Sequence, residues 1–132
     1  MKRLLAILLM LPLLAFAWEP SKPVIVVIGN APGAGNEIAF RKLASIISET
    51  KTSPVKFVIE NKPGADSVIG MNAVWDAAPD GYTAGIPSHM STFVTNDIWE
   101  KKVKKFESTG FSYVLTMGKS PLALVAWPNS DV

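Results

Sequence analysis

The chain has 132 residues, with 13 Lys+Arg against 11 Asp+Glu, a single histidine and no cysteine. A net charge of +2 makes no case for nucleic acid as a partner. Without cysteine there are no disulfides and no thiolate zinc sites, and one histidine leaves little else to ligate a metal, so neither metal nor cofactor is expected.

The first element is a leader. In "MKRLLAILLMLPLLAFAWEP" a basic start at Lys2 and Arg3 precedes an apolar run from Leu4 to Leu14, and Ala15-Phe16-Ala17 has the small-x-small cleavage pattern. That predicts a signal peptide over residues 1–17, cut after Ala17, and an exported protein in the periplasm. A membrane anchor would need about 20 apolar residues. Loss of Lys2 and Arg3 leaves residues 18–132 with balanced charge, and the absence of cysteine leaves nothing to acylate. The remainder suffices for one modest domain, burying about 65% of its unfolded surface.

Strands and helices then alternate. The continuous apolar run Val24 to Ile28 predicts a strand buried on both faces. Asn36 to Ser48 reads as a helix, with Ile38, Leu43, Ile46 and Ile47 as its apolar positions and Arg41, Lys42 and Ser45 toward water. A second strand is expected over Val55 to Ile59 and a second helix over Ser67 to Ala77, with Ile69, Ala73 and Trp75 among its contacts. "APDGYT" at 78–83 is a turn in which Pro79 presets φ and Gly81 supplies a positive φ. Further strands are expected at Thr83 to Ile86, Tyr113 to Met117 and Leu122 to Trp127, with a short helix at Ser91 to Trp99. "KKVKK", Lys101 to Lys105, reads as a solvated connection. Met71, Met90 and Met117 read as core filling.

This βαβαβ order predicts an α/β fold with a parallel sheet and right-handed crossovers. Loops leaving the carboxyl ends of its strands share one rim, where open α/β sheets bind ligands. Two glycine-bearing loops, "GNAPGAGNE" at 29–37 and "NKPGADSVIG" at 61–70, each run from a strand into a helix N-terminus. Helix-start N–H groups favour an anion, and Gly33, Gly35 and Gly64 allow close backbone approach. The alternative is that these glycines only make the turns. Nucleotide readings fail: no lysine follows Gly35 as a Walker A loop requires, and Ile38 stands where the dinucleotide fingerprint needs its third glycine.

Taken together, "SKPVIVVIGNAPGAGNEIAFRKLA", "VKFVIENKPGADSVIGMNAVWDAAPDGYT" and "SPLALVAWPNS" resemble the solute-binding receptors of tripartite tricarboxylate transporters, the Bug proteins. Their first loop reads P-F-x-P-G-G-x-x-D; Pro32, Gly33 and Gly35 match, as does the following Arg41, and Glu37 stands for the aspartate. Their second reads E-N-[RK]-x-G-A-G-G-x-x-G before A-P-D-G-Y-T; Glu60, Asn61, Lys62, Gly64, Ala65, Gly70 and all of "APDGYT" match. The resemblance implies the first lobe of a type II periplasmic binding protein, closing on a small organic carboxylate and delivering it to membrane transporter subunits, without catalysis. It makes the two loops pincers on the ligand, nominating Asn30, Ala31, Gly33, Ala34, Gly35 and Asn36 from the first and Gly64, Ala65, Asp66 and Ser67 from the second. A third loop, "PSHMST", nominates Ser88, His89 and Ser91.

Three departures stand out. Asp66-Ser67 replaces a Gly-Gly pair, Asn30 and Ala34 replace an aromatic residue and a glycine, and the chain stops at Val132 where the resemblance implies a second lobe. The expectation is a gene fragment or truncated product holding most of lobe one. Two readings stand for Asp66, a helix cap or the holder of a ligand's ammonium, and two for His89, an exposed loop histidine or a polar ligand contact. The rival to a carboxylate receptor is a small periplasmic α/β enzyme with His89 as base.

Overall fold

A computed structural model of the chain describes residues 20–89 and 104–118. The expected leader, the helix at 91–99, the strand at 122–127, Met90 and Ser91 lie outside the described residues. Three strands, β1 (Val24–Ile28), β2 (Phe57–Asn61) and β3 (Thr83–Ile86), form one parallel sheet in the order β2-β1-β3. Helix α1 (Gly35–Thr50) joins β1 to β2. A 3-10 turn (Ala65–Ser67) and helix α2 (Val68–Trp75) join β2 to β3. The expected α/β architecture is therefore present.

Strand order explains the layering. The chain moves from β1 to β2 on one side and then back past β1 to β3. With crossovers of one hand, that reversal places the two helices on opposite faces. Val24, Val26 and Ile28 pack with Phe40, Leu43 and Ala44 of α1. Val27, pointing the other way along the strand, lies against Gly70 of α2. Central β1 is accordingly buried on both faces, and Ile28 is fully enclosed.

The helix faces correct the sequence reading. On α1 the inward stripe is the buried Phe40 with the half-buried Leu43, Ala44 and Ile47, spaced i, i+3, i+4, i+7. Ile38 and Ile46, expected inside, are 57% and 44% exposed. They sit among apolar residues in sequence, but Ile38 lies about half a turn and Ile46 about a third of a turn off that stripe. On α2, Met71 is buried and Val74 half-buried under Phe106 and Phe111, whose rings also meet Trp75. Ile69 is half exposed.

Boundaries shift for identifiable reasons. The bounds of β1 and β3 match the expectation, whereas β2 begins and ends two residues later than 55–59. Its ladder pairs Val24 with Phe57 and continues to Ile28 opposite Asn61. Parallel pairing is a backbone interaction, so it runs on through the polar Glu60 and Asn61. Helix α2 stops at Trp75, and its first expected residue, Ser67, is left-handed rather than helical. Residues 113–117 are not a strand: Tyr113, Val114, Leu115 and Met117 are exposed and pair with no strand among the described residues, so Met117 does not fill a core.

At the amino ends of the strands, the turn "APDGYT" anchors the chain. Gly81 has the expected positive φ of 80°, and Asp80 accepts from the Tyr82 N–H at 3.0 Å. Lys22 pairs with Asp80 and stacks on the Tyr82 ring, whose hydroxyl meets Ser21. The Tyr82 and Lys22 contacts hold the Asp80 carboxyl below its usual range. This motif braces the sheet opposite the rim.

Candidate functional site at the carboxyl rim

All three strand exits meet at one rim. The loop after β1 leaves at Gly29, the loop after β2 at Lys62 and the loop after β3 at Pro87. A ladder of asparagine amides ties them together. The Asn61 amide donates to the Asn30 carbonyl at 2.9 Å. The Asn36 amide donates to the Asn30 side-chain oxygen at 2.9 Å and to the Pro87 carbonyl at 3.3 Å. These bonds hold the first loop between the other two.

Within the first loop, Ala31, Pro32 and Gly33 are exposed, with Ala34 half-buried behind them. Gly33 turns the chain with φ 87°. Its N–H, one of the donors an incoming anion would be expected to use, already donates to Glu37 Oε2 at 3.1 Å. No side chain caps α1 at Ala34. Glu37 is buried and also paired with Arg41, one turn on. The hydrogen bond from Arg41 is the main force holding its carboxyl below the ordinary range, partly opposed by burial. Sequence reasoning assigned Glu37 no role in the loop; the i, i+4 spacing to Arg41 was the available signal.

That depressed value has a consequence for acid stability. Glu37's contribution is full above the ordinary glutamate value of about 4.3 and is lost as pH falls through its lower folded value. Glu37→Gln should therefore be less stable than the parent at pH 7 and lose less on going from about pH 5 to 3. Urea midpoints measured across that range check this; an identical acid slope in the variant would contradict it.

The second loop has an uncommon backbone. Gly64 has φ 125°, and Ala65, Asp66 and Ser67 follow with φ of 44°, 48° and 77°. Three successive non-glycine residues in the left-handed region cost of order 1 kcal/mol each or more, and persist only where surroundings hold them. The holding contacts are visible. Ser67 is 1% exposed, and its hydroxyl donates to the Gly29 carbonyl at 3.3 Å while accepting from the Ser88 N–H at 2.8 Å. Asp66 Oδ1 accepts from the Ser88 hydroxyl at 2.6 Å. Neither Asp66 nor Ser67 caps a helix through its side chain.

The structure thus brings together two adjacent hydrogen-bonded groups, Asn30 with Asn36 and Asp66 with Ser88 and Ser67, joined through the backbone at Gly29-Asn30 and Pro87-Ser88. Ala31, Gly33, Ala34 and Gly35 form the arm of the first loop beside the first group, and Gly64 and Ala65 lead into the second. His89 is exposed on the third loop. Gly29 was not anticipated. A Cβ there would lie 2.3 Å from the Ser67 Cβ, so only glycine lets the two loops approach this closely.

Charge on the rim is mostly balanced. Glu37 is met by Arg41 and Glu60 by Lys62 at 3.1 Å. Two surface depressions, one along Ser48 to Lys56 and one beside Trp75 and Lys104 to Gly110, lie away from the rim.

Comparison with known proteins identifies the family. The model for "Tripartite tricarboxylate transporter family receptor" matches residues 39–132. The chain belongs to that family. The match begins at Ala39, so it includes the second and third loops and not the first. A Cupriavidus necator protein, "UPF0065 protein in gbd 5'region", is 36% identical over 116 residues, 86% of this chain and 33% of that protein. "Protein BugT" of Bordetella pertussis is 32% identical over 110 residues, 83% of this chain and again 33% of its own length. Among solved structures, one titled "Structure of a periplasmic transporter" is similar at TM-score 0.55 and 34% identity, over 67% of this chain and 28% of that one. A TctC solute binding protein from Polaromonas, at 24% identity and TM-score 0.54, shares the fold. The chain spans about a third of the length of these curated relatives.

Proposed function

We propose that this chain supplies one wall of a periplasmic receptor that binds a small organic carboxylate, a di- or tricarboxylate or an amino acid, for delivery to a tripartite membrane transporter. The observation that carries the reading is the convergence of three βα exits on one rim. There, two loops are clamped by Asn30, Asn36, Asn61 and Ser67 so that backbone groups beside two helix starts stand in fixed positions. Such a rim suits an anion, since helix-start amides carry partial positive charge and need no counter-ion side chain. Family membership and the likeness to a periplasmic transporter structure support the receptor role and its compartment.

Because relatives are three times longer, most of the enclosing surface belongs to other parts of a whole receptor. Binding to this chain alone is therefore expected to be weak, with Kd around 1 mM, or about 4 kcal/mol. The test is an NMR titration of residues 18–132 with succinate, citrate, aspartate and nicotinate. Saturable shifts confined to amides of residues 30, 31, 33–37, 64–68, 88 and 89, with no product formed, are expected. Shifts spread over other faces, or turnover of any ligand, would overturn the reading.

A further inference from the structure

We propose that Asp66 is a specificity-determining residue of the rim, selecting ligands that carry a cationic nitrogen close to a carboxylate and disfavouring plain dicarboxylates. The inference rests on the carboxylate-receptor reading above and names the ligand class within it. Asp66 is exposed on the second loop and, among the described residues, has no cationic partner, unlike Glu37 and Glu60. Its Oδ1 is occupied by the Ser88 hydroxyl at 2.6 Å. That bond fixes the carboxylate and spends the Ser88 proton inward, so Asp66 Oδ2 and the Ser88 oxygen lone pairs are what the pair presents to a ligand.

Both groups are acceptors, and the natural complement of two acceptors with a negative charge is an ammonium. Pro87, next to Ser88 in the chain, ties this pair to the first loop, because its carbonyl accepts from the Asn36 amide at 3.3 Å. The rim thus has the Gly35 and Asn36 N–H groups at the start of α1 on one side, their neighbours Gly33, Ala34 and Glu37 donating within the loop, and an acceptor side at Asp66 and Ser88. A ligand carrying both a carboxylate and an ammonium has one group for each side. A second carboxylate placed on the acceptor side would meet like charge. A side chain is kept at a backbone of φ 48°, ψ 51°, which glycine would adopt without strain, and neither capping nor core packing accounts for it.

Succinate and L-aspartate share a carbon skeleton and differ by one ammonium, so their relative affinity isolates the effect. In NMR titrations of residues 18–132, the parent protein is expected to prefer aspartate. Asp66→Asn keeps an acceptor for the Ser88 hydroxyl and removes only the charge. It should shrink the aspartate-to-succinate preference by about tenfold, the size of one charge-assisted contact. Asp66→Gly, which suits the backbone, should shift the ratio in the same direction. A parent that prefers succinate, or a ratio unchanged within twofold in both variants, refutes the role of Asp66 while leaving the receptor reading intact. If neither ligand perturbs the rim, the receptor reading falls and this inference with it.

Discussion

Gly29→Ala should lose about 3 kcal/mol of stability or more, a fall in melting temperature on the order of 10–20 °C for a domain of this size. The added Cβ would lie 2.3 Å from the Ser67 Cβ, 2.4 Å from its Oγ and 2.9 Å from its Cα. The last of these is backbone, so no rotamer change relieves the overlap. Neither partner moves easily, because Gly29 continues central β1 and donates to the Ile86 carbonyl at 2.9 Å, while Ser67 is locked by Gly29 and Ser88. The loss should be strongly coupled to position 67. Ser67→Gly removes two of the three clashing atoms and suits a φ of 77°, so the double variant should recover part of the stability lost in Gly29→Ala. Thermal unfolding by circular dichroism reads both. A single variant melting within a few degrees of the parent would show that the two loops do not pack as described.

Phe40→Ala is expected to cost about 3–5 kcal/mol, whereas Ile38→Ala, two residues earlier, should stay within about 0.5 kcal/mol. Phe40 is 9% exposed, and its ring meets Phe57 edge-on, with centroids 5.4 Å apart and planes at 82°. It joins α1 to both β1 and β2, so truncation leaves a cavity where three elements meet. Ile38 gives more than half its surface to water. Urea midpoints of the two variants decide which face of α1 is inside. Comparable losses would mean that the helix is rotated from the orientation seen here.

The second loop shows how a departure in sequence becomes intelligible in structure. Positions 66 and 67, where the family pattern has two glycines, sit at φ 48° and 77°. Glycine takes those values freely, and a side chain must be held there. Ser67 is held by burying its hydroxyl between two strand exits, and so acts as a strut between loops. Asp66 is held from outside, by Ser88 alone. The two residues look alike as substitutions and play opposite parts, one closing the interior and one facing the rim.

Much was legible in the amino-acid order alone. The bounds of β1 and β3, the turn at Gly81, the βαβαβ order and the shared rim all follow from local signals: an unbroken apolar run, Pro-Gly punctuation and alternating periods. Local chemistry acts over a few residues, so these features do not depend on what packs where. The tertiary structure decided the rest. Apolar residues surround α1 widely enough that several stripes were possible, and only contact with β1 and β2 chose Phe40, Leu43, Ala44 and Ile47 over Ile38 and Ile46. Strand β2 runs to Asn61 because its partner's backbone does, whatever its side chains. Ser67, Glu37 and Gly29 acquired their roles from atoms on other elements, through bonds and close approaches that link distant parts of the chain. Periodicity carries no information about such contacts, since their energy appears only when the sheet has formed.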